Sequence, residues 1–395
     1  MPITFRTLAF GTSALAAAIA PASQVIFDSK GFETPPYNVG ILTGQQNWIS
    51  AVGTNTSLVR NGIGVGGTNA ATLEAGRNTA GWSAWYYPSG LSVKPADWNS
   101  IDIIWDQQVT IPAATRSTAF GVTVYDERFY EIAGVMLYND LTNSTIGMNV
   151  FDGFVPGGSY GYYLAGKTLN RGEYHQYGMR IDLQSQTYRV YLDGAEVDTG
   201  FTLDLFLLAP GGGLVQFDFA MFGAGQDRSF YDNFRVLGYS AAGTGILSGE
   251  VSLSDFTGNA VGEPITVSLF APGTTTPTAT FNTTLGLAGR WQVSTGLTGN
   301  FDVIVKPRTW LAETFGTRAL GATPINSLDQ AYRNGDVDGD DGVTVFDYDA
   351  LSRAFDSTPV DASWNRDADL DGDLAVTVFD YDILSKNFDQ NGALP

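Results

Sequence analysis

Along residues 23 to 240 apolar positions alternate with polar ones in short runs, and helical periodicity is nearly absent, which predicts an all-β unit. Ile101 to Ile111, Ser117 to Asp126 and Glu131 to Asp140 read as successive strands. The clearest hairpin sets Tyr177, Met179, Ile181 and Leu183 against Tyr188, Val190 and Leu192, with Gln184, Ser185 and Gln186 as the turn. A closing strand is expected in SFYDNFRVLGY. Some 215 residues of this kind suit a two-sheet sandwich of jelly-roll type. A second run of alternation over 245–320 (ILSGEVSLSDF, EPITVSLFAP, NFDVIVKPRTW) predicts a smaller β-sandwich, with 321–333 as a linker.

The pattern changes near residue 334. DVDGDDGVTVFDYDALSRAFD (Asp336 to Asp356) returns 33 residues later as DLDGDLAVTVFDYDILSKNFD (Asp369 to Asp389), identical at 15 of 21 positions. An internal repeat of this strictness is not a solvated acidic tail. In each copy carboxylates recur at loop positions 1, 3, 5 and 12: Asp336, Asp338, Asp340 and Asp347, then Asp369, Asp371, Asp373 and Asp380. A hard cation takes six to eight oxygens, and alternate residues of a tight loop aim theirs at one centre. The carbonyls of Gly342 and Ala375 fall at position seven and Thr344 and Thr377 at position nine, so two Ca2+ ions are expected. Val343 and Val376 are expected to pair the two loops, and Asp347 and Asp380 to open helices. Tyr348, Leu351 and Phe355, matched by Tyr381, Leu384 and Phe388, share a helical face on which the helices would pack.

This C-terminal segment, 334–395, resembles type I dockerin repeats, paired loop-helix modules that dock onto cohesin domains in bacterial polysaccharide-degrading complexes. Asp rather than Glu at position twelve fits the resemblance. Two features depart from it. Position six, usually glycine, holds Asp341 and Leu374. A left-handed leucine costs about 1–2 kcal/mol, so the second loop is expected to turn differently or bind more weakly. Positions ten and eleven, where the resembled modules carry small hydroxyl residues, hold Val345-Phe346 and Val378-Phe379. These two apolar pairs are the candidate partner face, for a cohesin-like partner or a neighbouring domain of the same chain.

The first β unit resembles the concanavalin A-like lectin/glucanase and laminin-G-like group in its early aromatic strand (Phe27 to Phe32), its YGMRIDL/YRVYLDG hairpin and its DNFRV close. The second, in its GEVSLSDF opening, PITVSL centre and AGRWQVSTGLTGNFDVIVK close, resembles carboxypeptidase regulatory-like (prealbumin-like) modules. Together the expectation is a mainly β chain with a small EF-hand-like helical pair at its end.

Charge and composition narrow the function. The formal net charge is -20, and residues 331–395 hold 15 acidic side chains against four basic ones. Nucleic acid is excluded as a partner, because phosphate recognition needs concentrated Lys and Arg. There are no cysteines, so no disulfide or thiolate chemistry is available. Residues 1–22 carry Arg6, an apolar run from Leu8 to Ala20, and small residues at Ala18, Ala20 and Ala22, the pattern of a cleaved signal peptide. No other run is long enough to span a membrane, so a secreted or cell-surface location is expected.

No catalytic set stands out. The E-x-D-x-x-E string that presents two carboxylates from one strand is missing, as is a GxSxG elbow. Asp126, Glu127 and Glu131 read as charges at a turn, and His175, the only histidine, as an edge or loop residue. Sugar rings stack on exposed aromatics, and Tyr160 and Tyr162 in the glycine-rich GGSYGYY stretch are the candidate glycan contacts, whereas Trp85 and Trp98 read as core. The expectation is a secreted, carbohydrate-associated binding protein with a calcium-dependent docking module. A glycoside hydrolase with an unrecognised carboxylate pair and a structural surface or matrix protein are the alternatives.

Overall fold

The computed structural model describes residues 24–395 except 53–56, 75–82, 111–118, 141–144, 156–158, 201, 206–207, 223–226 and 241. The expected signal peptide, residues 1–22, lies outside the described residues. The chain is mainly β, built from several antiparallel sheets, with two helices near its C-terminus.

Residues 24–240 form two facing sheets. In the first, Ser100–Thr110 lies between His175–Asp182 and Arg228–Tyr239, so the closing strand returns to the middle of the sheet. The second runs through Ser159–Leu169, Thr145–Val155, Glu131–Asp140, Ala119–Asp126, Leu214–Phe222, Ser83–Pro88 and Trp48–Val52. The hairpin read from alternation is present, with Tyr177 opposite Leu192, Met179 opposite Val190 and Ile181 opposite Tyr188. Asp182 fixes its turn, since Oδ1 accepts from the Gln184 and Ser185 amides at 2.9 and 2.8 Å.

The core fills from both sheets. Trp48, Trp105, Phe219 and Phe234 are fully buried, with Phe219 stacked on Tyr231 at 4.1 Å. The Trp48 indole donates to the Tyr37 hydroxyl at 2.9 Å, so its one polar atom is satisfied inside. Trp98 packs partly buried against this core, as its core reading required, whereas the Trp85 side chain lies outside the described ones.

The second sandwich pairs a sheet of Pro277–Thr284, Pro264–Phe270, Gly299–Pro307 and Glu313–Leu320 with one built on Ile246–Leu253. Residues 321–333 are not a linker. Ile325–Asn326 and Gln330–Tyr332 add in parallel to Ile246–Leu253, and Tyr332 is fully buried. Strands of two and three residues are too short to leave a periodic signal, and their Gly, Pro and Ser neighbours read as loop.

The two sandwiches share a packed seam of Ile104, Tyr191, Leu237, Tyr239 and Leu287. Gly178 is required here, because a Cβ on it would sit 2.3 Å from Leu287 Cδ2. Buried Asp102 ties the seam electrostatically: it accepts from Arg180 Nε at 3.1 Å, the Tyr239 hydroxyl at 3.1 Å and the Leu287 amide at 3.2 Å.

Candidate metal centres and a polar sheet face

The repeat folds as two loop-helix units. Each helix, α1 (Val345–Ala354) and α2 (Val378–Lys386), begins two residues before the aspartate expected to open it, because Thr344 and Thr377 are the N-caps. Their Oγ1 atoms accept from Phe346 N and Phe379 N at 3.2 Å, and the aspartates three residues on complete reciprocal capping boxes.

Within the loops, Asp336, Asp338 and Asp340 place one oxygen each within 4.8 Å of one another, and Asp369, Asp371 and Asp373 do the same. Asx turns hold both sets alike. Asp336 accepts from Gly339 N and Asp341 N, and Asp369 from Gly372 N and Leu374 N. The position-five carboxylates accept from Gly342 N and Ala375 N, each at 2.9 Å. Asp347 and Asp380 do not join the clusters. Their oxygens accept from Val337 N and Thr344 N, and from Leu370 N and Thr377 N, closing each loop onto its helix.

The expected direct pairing of Val343 with Val376 does not form. Val343 exchanges backbone hydrogen bonds with Asp389 and Gln390, and Val376 with Asp356 and Ser357. Each loop therefore pairs with the segment that trails the other helix. Both valines are still buried in one core with Val337, Leu351, Leu370 and Leu384. Of the helical face expected to pack, Leu351 and Leu384 are buried and Tyr348 meets Tyr381 edge to face. Tyr348, Phe355, Tyr381 and Phe388 remain partly exposed.

The loops differ in their surroundings. Asp336 is fully buried and its Oδ2 lies 2.6 Å from the Lys306 ammonium of the second sandwich. Burial raises its pKa, and Lys306 pulls it back down. Asp341 is 6% exposed and takes the Ala312 and Leu394 amides at 2.6 and 2.8 Å, so position six of the first loop is a tether. Among the described residues Asp369 has no cationic partner. Burial, then the charges of Asp380, Asp371 and Asp373, push it up to about 6. Leu374 adopts the left-handed turn at φ 70°, matching φ 71° at Asp341, while 63% exposed. The second loop therefore turns like the first.

Three converging carboxylates in each loop form the hard-oxygen donor set that calcium prefers. The second set fits a cation most plainly, since an uncompensated, half-desolvated trio of carboxylates repels itself. Val345, Phe346, Val378 and Phe379 are exposed, the two phenylalanines 66% and 63%, and no described segment covers them. Beside them Val345, Tyr348, Tyr381, Leu384 and Phe388 line a groove of about 420 Å³, with the two tyrosines edge to face at 5.7 Å.

A second constellation lies on the outer face of the seven-stranded sheet. Phe217 and Phe219 point into the core, so Gln216 and Asp218 between and before them point out. Register sets Asp218 opposite Thr123, and Gln216 opposite Tyr125, which in turn pairs with Glu131. Asp218 is fully buried. Its Oδ2 accepts from Gln216 Nε2 at 2.8 Å, while its Oδ1, Thr123 Oγ1 and Asn149 Oδ1 are buried and have no hydrogen-bond partner among the described residues. Burial, with Glu131 adding, raises Asp218 well above the carboxylate range. Its sequence signal was two polar residues at alternate positions of an otherwise apolar run, LVQFDFAMF.

Tyr162 sits opposite Phe151 in register on this sheet. The side chains of Tyr160 and Tyr162 lie outside the described ones. Glu127 belongs to a turn and pairs with Lys94 at 3.4 Å, and Asp126 caps that turn, bonding Arg128 Nε at 2.8 Å, so the Asp126, Glu127, Glu131 cluster is divided as expected. His175 Nδ1 lies 2.7 Å from Asp193 at the start of its strand.

No family model matches the chain, and no curated protein matches it. Solved structures do show partial likeness. A type II cohesin-X-dockerin complex from Acetivibrio cellulolyticus matches with 19% identity and TM-score 0.30, over 37% of this chain and 97% of that one. An alginate lyase from Pseudomonas aeruginosa matches with 9% identity and TM-score 0.32, over 46% of this chain and 98% of that one. A lectin complexed with galactose matches with 11% identity and TM-score 0.30, over 51% and 96%. With scores this low, what the chain does has to be read from its own side chains.

Proposed function

We propose that the chain is an extracellular, carbohydrate-associated binding protein whose C-terminal repeat is a dockerin-like, calcium-dependent docking module. The observation that carries this reading is the pair of aspartate clusters, built with the same hydrogen bonds 33 residues apart and each followed by a helix that leaves an apolar pair exposed. Asp336, Asp338 and Asp340, with the Gly342 carbonyl, Thr344 and Asp347, would hold one Ca2+. Asp369, Asp371 and Asp373, with the Ala375 carbonyl, Thr377 and Asp380, would hold the other. Calcium neutralises carboxylates that otherwise repel, and so stabilises the helices that present Val345, Phe346, Val378 and Phe379 to a cohesin-like partner.

The first sandwich, read as a jelly roll of the concanavalin A-like type, supplies the glycan contact, and the prealbumin-like sandwich sets its distance from the module. Its glycan site is the outer sheet face, where Thr123 Oγ1, Asn149 Oδ1 and Asp218 Oδ1 have no hydrogen-bond partner among the described residues. The test is calcium titration of the full chain by calorimetry. Two ions bound, with docking lost in a Phe346→Ala/Phe379→Ala double variant, is the expected result. A chain that takes up no calcium overturns the reading.

One observation favours a hydrolase as second reading. Asp218 with its raised pKa and Glu131 on the same face make an acid and a carboxylate, the two groups glycoside hydrolysis uses. Release of reducing ends from a polysaccharide panel, abolished by Glu131→Gln and by Asp218→Asn, would support it. No release from any polysaccharide leaves binding as the function.

A further inference from the structure

The two sandwiches enclose a cleft of about 610 Å³ along their seam. Its walls come from strands of both units and are held in place. Arg290 donates to Ser100 Oγ at 2.8 Å while its guanidinium lies over the Tyr239 ring at 3.9 Å. Gln292 Nε2 donates to the Ser240 carbonyl at 2.5 Å, and Ser248 Oγ to Asn326 Oδ1 at 2.7 Å. Ser327, also in the wall, is held at φ 105°, a backbone region that non-glycine residues rarely adopt and that collects at ligand-holding sites.

We propose that this cleft binds a neutral, hydroxyl-rich ligand, a short oligosaccharide or chain end. The site goes beyond the reading above, since it lies on the ten-stranded sheet and the second sandwich, away from the face that carries Asp218. Three features of the cleft select the ligand class. The lining mixes hydroxyls and amides, Ser185, Thr187, Ser248, Gln292 and Asn326, which suits a partner whose groups each donate and accept. Arg180, Arg189 and Arg290 are matched in number by Asp182, Glu250 and Asp329, so the lining carries no net charge that would select an anion or a cation. The volume falls in the range of about 300–1,000 Å³ over which small ligands bind, and domain seams are where such sites collect.

The test is calorimetry on the full chain with hexasaccharides of glucose, xylose and mannose and a hexauronate as probes. Ser185→Trp, at an exposed wall position, would obstruct the cleft, and Arg189→Ala would remove a donor whose side chain is 65% exposed and whose ion pair with Glu196 at 3.3 Å is a surface one, of little weight for stability. The expected result is binding of a neutral hexasaccharide, weakened about tenfold or more by Ser185→Trp, and to a lesser degree by Arg189→Ala, with unchanged unfolding midpoints. Neutral binding that ignores both variants overturns the cleft. If that binding responds instead to Asp218→Asn, the glycan reading stands while this one fails. Binding of the hexauronate alone, or of no probe, also overturns it.

Discussion

The two copies of the repeat share 15 of 21 residues and the same turns, yet they are differently placed in the molecule. The first loop is built into its neighbour: Asp336 meets Lys306, Asp341 takes the Ala312 and Leu394 amides, and nearby Leu311 joins the module's core. The second touches the same sandwich through Thr257, whose amide donates to the Asp371 carbonyl at 2.8 Å, and through the ring of Phe256 beside Gly372. No cation of the protein reaches its carboxylates among the described residues. Near-identical sequences therefore have different electrostatic budgets. The first loop carries a built-in countercharge, while the second has none among the described residues.

The largest test of that difference is the position-one aspartate. With calcium chelated, Asp336→Ala should destabilise the chain by about 3–5 kcal/mol, because it strands a nearly buried ammonium whose partner is gone. Asp369→Ala in the same chelator should cost far less or even stabilise, since it removes a carboxylate that its neighbours repel. Urea unfolding of both variants reads the contrast, and equal losses would show that Lys306 does not distinguish the loops. With calcium present the order changes, as each variant should lose one of two bound ions by calorimetry.

Position six comes next in size. Asp341→Ala should cost about 1.5–3 kcal/mol, chiefly from the buried Ala312 amide that loses its charged acceptor, and should loosen the tie of Leu394 and the C-terminus. Leu374→Gly should move the other way, stabilising the module by about 1 kcal/mol as left-handed strain is relieved at an exposed site. A destabilised Leu374→Gly variant would mean that its side chain contributes packing which its exposure does not suggest.

How much of this was written in the sequence depends on scale. The loop and helix positions were legible because the chemistry repeats every two residues in the loop and the apolar pattern every three to four in the helix. The hairpin of Met179 and Val190 was legible from alternation. Lys306 could not be found that way. In NFDVIVKPRTW it reads as the end of a strand 30 residues before Asp336, and only tertiary packing brings the two together. Asp341 likewise read as a tolerated substitute for glycine, while its tethering role needs Ala312 and Leu394 in place. The swapped pairing of Val343 and Val376 was hidden because their partners, Gln390 and Ser357, occupy equivalent places in the repeat and carry no strand pattern. Asp218 left a local trace in LVQFDFAMF, but the unpartnered state of its Oδ1 among the described residues belongs to the sheet face as a whole.

The smallest effect is the pH dependence of the metal-free module. Burial first, and then Asp380, Asp371 and Asp373, raise Asp369 from its ordinary 3.8 to about 6 in the folded chain. A carboxyl raised on folding holds its proton more tightly in the native state. Its stabilising contribution is therefore complete below about 3.8 and lost as pH rises through about 6. In chelator, the unfolding midpoint of the module should fall across that window, and Asp369→Asn should flatten the fall. Saturating calcium should oppose the fall across that window, because the metal replaces the proton and is stabilising only where the carboxylate is ionised. Asp336 is also raised by burial, but Lys306 opposes the shift, so Asp336→Asn should change the pH profile less than Asp369→Asn does. Parallel profiles for the two variants would mean that the Lys306 contact does not persist in solution, and the asymmetry between the loops would then reduce to Asp341 and Leu374.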